Sequence, residues 1–369
     1  MKRFIFSAIA LMVAATACTE SGLIDTPDMY GSAIVFDTYI GKTPVTKAES
    51  IDLDYLEDVN NGGIRIYAFM SDKGNANPSN INFSSAYMNG RIMCTEDKTT
   101  QDEVEKSVWE YQAEVLNEEN QLEWTAEDVY WPGDVDLAFV AYKADGYTPT
   151  INGDDYYFDF IIEDNISEQV DLLVSPLQFV SETIGNDTYV NLQFHHLLSR
   201  VGFSVIATDP NENVDITIHS LRLCGRFPKK GKVSLKSTSA SIQVYDNEDN
   251  EDNYENFYDL FESGQPFTVN SVKCGSAVTG DDSRIYDEDL NNRFMMLMPG
   301  QLDGAYIEVE YQLTGDEERF AKVELGNLSL KAGFAYEFVL EVATESIEFS
   351  GVVEGDWDSN GNTNLPQEN

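Results

Sequence analysis

The chain has 369 residues, of which 65 are Asp or Glu and only 23 are Lys or Arg, so that its formal net charge is −42. A surface this acidic repels the phosphates of nucleic acids and of anionic lipids, which excludes a nucleic-acid partner. The length suits two domains, and an aromatic content of 12% is ample for packed cores.

The first residues are typical of a secretory signal. Met1-Lys2-Arg3 is basic, residues 4–13 are apolar except for one serine, and small residues precede Cys18. The apolar run is too short for a transmembrane helix, which needs roughly 20 residues. We therefore predict a lipoprotein signal peptide over residues 1–18. Cys18 would be the lipid attachment site, diacylated through its thiol, which anchors the chain to a membrane without spanning it. A plain secreted protein with a chance cysteine is the alternative.

Beyond a tether over residues 19–31, apolar and polar residues alternate with a period of two, which is typical of half-buried strands. In the first of these stretches, "AIVFDTYI", one face carries Ile34, Phe36 and Ile40. Similar stretches follow at residues 63–70, 190–194, 214–220, 305–313 and 335–342, separated by turn-forming residues. The pattern predicts an all-β chain of antiparallel β-sandwiches, with short helices only near residues 49–59 and 253–264.

The polar stretch "SETIGNDTY" at residues 181–189 is the best candidate for a domain boundary. We therefore predict an N-terminal β-sandwich over residues 32–182, a C-terminal β-sandwich over 183–357 and a polar tail over 358–369. Each sandwich has a normal domain size.

The stretch "TPVTKAES" at residues 43–50 follows the first predicted strand. Its small and polar residues around Lys47 are typical of an exposed, cleavable connector. An ordinary loop is an equally good interpretation from these residues alone.

The search for catalytic chemistry gives no candidate residues. The chain has three histidines, and the adjacent His195 and His196 would point to opposite faces of a strand. No nucleophile, zinc or phosphate-binding motif is present, so we expect no enzyme, no metal and no cofactor. The acidic loops at 246–252 and 280–292 could bind calcium, but they lack the glycine of an EF-hand loop. Three cysteines besides Cys18 cannot all pair, so we expect buried thiols or at most one disulfide; they are Cys94, Cys224 and Cys274.

Several stretches, taken in order, resemble the fimbrillin-like proteins of the Bacteroidetes, the subunits of type V pili and their surface-lipoprotein relatives. They are the lipoprotein start, "AIVFDTYIGKTPVTKAES", "GIRIYAF", "YWPGDVDLAFVAY", "VDLLVS", "VNLQFHHLLSRVGFSV", "MLMPGQL" and "LKAGFAYEFVLEV". The resemblance implies two transthyretin-like β-sandwich domains. It also implies that shaft and tip subunits are cut after an Arg or Lys behind the first strand and that a strand from a neighbouring subunit replaces the one removed, whereas anchor subunits keep their lipid and are not cut. The matching residue is Lys47, with Ala48 as the new N-terminus, and the displaced strand would carry Ile34, Phe36 and Ile40.

The resemblance further implies partners, location and role. The partners would be other pilus subunits bound by strand donation, the membrane bound through the lipid on Cys18, and a host or glycan ligand. The location would be the outer membrane, surface-exposed, or the fimbrium. Since the tail over 358–369 is too polar to serve as a donor strand, we expect a tip, anchor or accessory subunit for adhesion. The alternative is a carbohydrate-binding surface lipoprotein of a glycan-uptake system, in which exposed tryptophans would serve as sugar platforms. The candidates are Trp109, Trp124 and Trp131, for which core packing is the favoured interpretation.

Overall fold

The computed structural model describes residues 32–40, 53–58, 60–101, 104–116, 121–152, 155–184, 187–207, 216–245, 250–260, 267–269, 294–313, 315–342 and 346–356. In these ranges the strands are β1 Ile34–Ile40, β2 Ile64–Ser71, β3 Met88–Gln101, β4 Val104–Leu116, β5 Leu122–Ala126, β6 Asp136–Lys143, β7 Thr150–Asn152, β8 Asp155–Ile161, β9 Leu173–Val180, β10 Thr188–His196, β11 Ser199–Ala207, β12 Ile216–Pro228, β13 Lys230–Ser234, β14 Ile242–Val244, β15 Tyr254–Asp259, β16 Phe267–Val269, β17 Phe294–Leu297, β18 Gly300–Gln301, β19 Tyr306–Leu313, β20 Arg319–Glu324, β21 Ser329–Leu330, β22 Phe334–Val342 and β23 Ile347–Asp356. The α-helix of this part of the chain, α1, covers Leu53–Glu57, and 3₁₀ turns lie at Pro78–Asn80, Ile166–Glu168 and Glu251–Asn253. The prediction of an all-β chain is therefore confirmed.

The largest sheet has eight strands in the order β1-β10-β9-β6-β2-β3-β4-β5. Its neighbouring strands pair antiparallel, except for β1 and β10, which run parallel. Strands β1 and β5 are its two edges, yet β1 also lies against β4. The sheet is therefore curled, so that its edge strand β1 packs against β4, which lies near the opposite edge.

Both faces of this sheet are covered in its middle. On β2, Ile64 and Ile66 enter the core inside the curl, whereas Tyr67 and Phe69 enter a second core that includes β8. Every residue of β6 is buried, because this strand contributes to both cores. Burial on two sides explains why its sequence "DLAFVAYK" lacks the polar alternation of the outer strands.

The other strands form smaller sheets that share the second core. Their orders are β14-β13-β8-β7, β15-β12-β19-β20 with β16 also on β12, β17-β11-β22-β23, and β18-β21. Strands β11 and β22 make a second parallel pair. The two parallel pairs were not predicted, since alternation reveals that a strand exists but not the direction of its partner.

Pairing crosses the boundary predicted between residues 182 and 183. Strand β10 follows that boundary but belongs to the eight-stranded sheet, whereas β7 and β8 precede it and pair towards β13. The two-domain, transthyretin-like division remains a prediction.

One of the two predicted short helices is correct and the other is wrong. Helix α1 lies within the predicted residues 49–59, but residues 254–259 form β15 instead of a helix. Tyr254 and Tyr258 are buried, whereas Asn256 and Phe257 between them are exposed. A spacing of four places two side chains on one face in a helix and also in a strand, and pairing with β12 selects the strand.

Candidate functional site: the first strand and its slot

Strand β1 joins the large sheet through a partner that lies about 150 residues further along the chain. It pairs with β10 in parallel along its whole length, from Ile34 opposite Thr188 to Ile40 opposite Phe194. Because it is an edge strand, its ladder has β10 on one side only. We call the groove that β1 occupies, between β10 and residues 129–131, the β1 slot.

The beginning of β1 is held from both sides. The Ile34 amide donates to the Val129 carbonyl at 2.9 Å, and the Trp131 amide donates to the Ser32 carbonyl at 2.9 Å. On the other side the Thr188 amide donates to the Ala33 carbonyl at 2.9 Å. The remainder of β1 has the ladder to β10 and its side-chain packing to hold it.

The inward side chains of β1 complete the core inside the curl. Ile34 is 8% exposed and Phe36 is 4% exposed. The Phe36 ring meets the Phe139 ring edge-on, with 6.2 Å between centroids, and Trp131 packs on the same Phe139. The side chain of Ile40 lies outside the described residues. Removal of β1 would therefore expose an apolar groove beside an unpaired row of backbone groups on β10.

A hydrogen-bond cluster fastens residue 32, just before β1. The Ser32 amide donates to the Glu182 carboxylate at 2.8 Å, and the Ser32 hydroxyl lies 2.9 Å from that of Thr188. The Thr183 amide also donates to the Thr188 hydroxyl at 2.8 Å. Ser32 and Glu182 are partly exposed, so that water could replace their bonds if β1 left, whereas Thr188 is buried and is held by the Thr183 amide as well.

Thr38 places an unsatisfied hydroxyl group in the buried face of β1. It follows Phe36 on the inward face and is 8% exposed, but its hydroxyl oxygen has no hydrogen-bond partner in the described part of the chain. An unsatisfied buried hydroxyl costs about 1–3 kcal/mol. Strand β1 is therefore bound less tightly than a strand of the same shape with an aliphatic residue at this position.

The predicted processing residues Lys47 and Ala48 lie outside the described residues, as does Cys18. Strand β1 ends at Ile40 and helix α1 begins at Leu53, so that Lys47 falls in the connection between them. The chain after this connection is anchored separately: Leu56 is 3% exposed in the same core, and the buried Lys143 ammonium donates to the Asn61 carbonyl. A cut at Lys47 would leave these anchors attached to the body of the protein.

The protein-family comparison decides the identity. The model described as fimbrillin-like matches residues 80–357. The chain belongs to the fimbrillin-like family.

Of three similar solved structures, the first agrees with this assignment at the level of fold. A fimbrial protein from Bacteroides vulgatus has a TM-score of 0.57 at 15% identity, with 88% of this chain and 99% of that chain covered. A candidate cell adhesion protein from Bacteroides uniformis has a TM-score of 0.47 at 13% identity, with 90% and 99% covered. The tip fimbrial protein Mfa3 from Porphyromonas gingivalis has a TM-score of 0.34 at 9% identity, with 82% and 96% covered. No curated protein sequence matches the chain.

Membership of the fimbrillin-like family implies association with other pilus subunits at a fimbrium or cell surface. The family is a class of fimbrial proteins and not of enzymes, which agrees with the expectation from the sequence. Among the described residues, no cluster of His, Cys, Asp and Glu could hold a metal ion. No helix in the described ranges is long and apolar enough to cross a membrane.

The fimbrillin-like motifs "VDLLVS" and "FHHLL" meet in space, which the sequence did not reveal. His195 is exposed and His196 is buried, as expected for opposite faces of a strand. The His196 Nδ1 lies 2.7 Å from a carboxylate oxygen of Asp171, whose other oxygen accepts from the Leu172 amide at 2.7 Å. The sequence did contain a signal for this pair. Asp171 stands directly before the apolar residues 172–174, and a buried carboxylate needs a partner.

The tryptophans and cysteines are mostly core residues. Trp109 is 7% exposed and Trp131 is 1% exposed, so that neither can be a sugar platform. Trp124 is half-buried on the edge strand β5. Cys94 and Cys224 are free and buried, as one of the two interpretations expected, while Cys274 lies outside the described residues.

Proposed function

We propose that this fimbrillin-like chain is a tip, anchor or accessory subunit of a type V pilus, assembled by strand complementation. The observation that carries the proposal is β1: an edge strand with buried Ile34 and Phe36, joined to the body of the protein through residues 41–52. Cleavage between Lys47 and Ala48 would turn this strand into a separate peptide, held by pairing and packing alone.

Release of β1 would create a site for another strand. The β1 slot would then present unpaired N–H and C=O groups of β10 beside apolar positions left by Ile34 and Phe36. A strand from a neighbouring subunit would satisfy both, because its backbone would pair with β10 and its alternate side chains would fill the groove. The unsatisfied hydroxyl of Thr38 favours replacement of β1 by a donor strand that has an aliphatic residue at this position.

The last strand of the described residues supports the role of an acceptor. Strand β23 pairs with β22 along its length, from Ile347 opposite Val342 to Asp356 opposite Phe334. If β23 were donated to another subunit, the four-stranded sheet would lose its edge strand. A subunit that accepts a strand but does not readily donate this one fits an end or an accessory position of the pilus.

The lipid would hold the uncut chain at the membrane. Cys18 would carry the acyl chains. Because Cys18 precedes Lys47, a cut there would separate the body from the lipid, whereas an uncut anchor subunit would keep it. Intact mass of the native protein extracted from membranes tests this part, because it reports the acyl group on Cys18 and any cut at Lys47 together. A mass equal to that of the full, unmodified chain would contradict both.

Strand complementation is tested with a chain in which residues 43–50 are replaced by the recognition sequence of a site-specific protease. After the cut, we expect the N-terminal segment with β1 to separate from the body in size-exclusion chromatography, since pairing and packing alone hold it. A synthetic peptide of residues 32–40 should then bind the emptied slot, whereas the same peptide with Phe36→Asp should not. The uncut chain is the control. A cut protein that stays monomeric and keeps its N-terminal segment bound would refute the proposal.

A further inference from the structure

Two arginines and a tryptophan meet on the face of the large sheet that is opposite the core inside the curl. Arg65 on β2 stands directly opposite Arg91 on β3. The Trp124 ring of β5 contacts both, with 4.9 Å from its centroid to the Arg65 Cζ and 4.6 Å to the Arg91 Cζ. We call these three residues the arginine–tryptophan cluster.

The cluster lies away from the β1 slot. Ile64 and Ile66 flank Arg65 in sequence and point into the core inside the curl, so that Arg65 points to the opposite face. The same alternation places Arg91 beside the inward Ile92. A ligand on this face could therefore bind whether or not the slot changes its strand.

A pair of like charges directly opposite each other destabilises two paired strands unless something compensates for it. Neither guanidinium is within ion-pair distance of a carboxylate in the described part of the chain. This contrasts with three other arginines, which do have carboxylate partners: Arg222 with Asp259 at 2.9 Å, Arg226 with Glu251 at 3.6 Å and Arg319 with Asp316 at 2.7 Å. Burial disfavours the charge of Arg65, but the side chains of Tyr67 and Tyr142 and the more distant carboxylate of Glu114 outweigh it and raise its pKa.

The guanidiniums are held in place but keep donors available. The Arg91 Nε donates to the Gln112 side-chain oxygen at 2.9 Å, and its Nη1 donates to the Gly62 carbonyl at 3.2 Å. A guanidinium has five N–H groups, so that these two bonds leave others for a ligand. Burial, and then the charge of Arg65, lowers the pKa of Arg91. The group remains charged at neutral pH, and an anion would relieve the repulsion.

We propose that the arginine–tryptophan cluster binds an acidic sugar, such as a sialic or uronic acid, whose carboxylate pairs with Arg65 and Arg91. A planar guanidinium matches a carboxylate through two parallel hydrogen bonds, and the half-exposed indole offers an apolar surface to the C–H groups of a sugar ring. Two further carboxylates limit the positive charge of this face: Glu110 and Glu114 are exposed on β4, on the same side as Gln112. Such a rim suits a ligand with one negative charge and disfavours a polyanion.

This inference does not rest on strand complementation. It assigns an adhesion ligand class to the face of the sheet opposite the core that β1 completes. Failure of either proposal would leave the other standing.

The test is calorimetric titration of the purified chain with N-acetylneuraminic acid and with glucuronic acid. The methyl ester of each sugar and plain acetate are the comparison ligands. We expect an acidic sugar to bind, with the ester and acetate each weaker by roughly tenfold or more, since one loses the charge and the other the ring. The absence of heat at about 10 mM ligand, where a Kd of about 1 mM would give near saturation, would overturn the proposal. Equal binding of ester and acid, or of acetate and sugar, would overturn it as well.

Variants locate the site. Arg91→Lys keeps a positive charge but loses the planar pair of donors, and we expect it to weaken binding by roughly tenfold. Arg65→Gln should do the same, whereas Glu114→Gln should strengthen binding. Arg222→Gln is the matched control, because Arg222 also stacks on an aromatic ring, that of Phe257, on another sheet. Thermal unfolding checks that each variant is folded. Wild-type affinity in both Arg91→Lys and Arg65→Gln would refute the assignment.

Discussion

Truncation of Phe36 to alanine should loosen β1 while the rest of the large sheet stays intact. The phenyl ring is 4% exposed and packs edge-on against Phe139. Its neighbours on the inward face are Ile34, which keeps its own packing, and Thr38, whose hydroxyl lacks a partner among the described residues. Phe36 is therefore the largest described side chain that holds β1 in its slot.

The size of the effect follows from this burial. A buried phenylalanine replaced by alanine typically costs about 3–5 kcal/mol, through lost transfer energy and the cavity left behind. When β1 opens, residue 36 is in water in both proteins, so that the whole difference appears in the free energy of opening. Since about 1.4 kcal/mol is a factor of ten, the opening equilibrium of β1 should shift by roughly 100-fold to 4,000-fold.

Amide hydrogen exchange of the uncut chain measures this opening directly. In the Phe36→Ala variant, we expect the amides of β1 and their partners on β10 to exchange faster by that factor. The amides of β2 and β6 should change far less. Phe69→Ala is the matched control: Phe69 is 1% exposed on β2 in the second core, so that its loss should not act selectively on β1.

Two results would refute the reasoning. Unchanged protection of β1 would mean that backbone pairing alone holds the strand, and that the packing of Phe36 contributes little. Equal loss of protection in β1 and β6 would mean that β1 opens only with the whole sheet. A strand that cannot open separately could not be exchanged.

Three further outcomes are expected. Thr38→Val should slow exchange of the β1 amides by roughly tenfold, because it replaces an unsatisfied hydroxyl with a methyl group of similar volume; faster exchange would show that the hydroxyl has a partner. His196→Ala should lower the free energy of unfolding, followed by urea denaturation, by about 3–5 kcal/mol, since it removes the imidazole from the buried Asp171; a double-mutant cycle with Asp171→Ala should give strong coupling, and additive effects would contradict it. Burial, and then the carboxylate of Glu308, raises the pKa of the Cys224 thiol to about 11, so that alkylation at pH 8, read by peptide mass, should be roughly 100-fold slower than in the unfolded chain, and comparable rates would contradict this.

The sequence alone determined the elements that depend on local pattern. The alternation of Ile34 and Phe36 with Val35 and Asp37 predicted a strand with one buried face, because side chains of a strand point alternately to its two sides. The same rule predicted that His195 and His196 would separate. The all-β class and the place of the first short helix followed from such local patterns.

Tertiary structure decided which elements meet. No local pattern shows that β1 pairs in parallel with β10, or that Arg65 stands opposite Arg91, because register between distant strands depends on the closure of the whole sheet. For the same reason the sequence could not separate the buried Trp109 and Trp131 from the half-buried Trp124. The aromatic side chains are chemically alike, and the position of each strand, at the curl or at the edge, determines whether its tryptophan belongs to a core or to a surface.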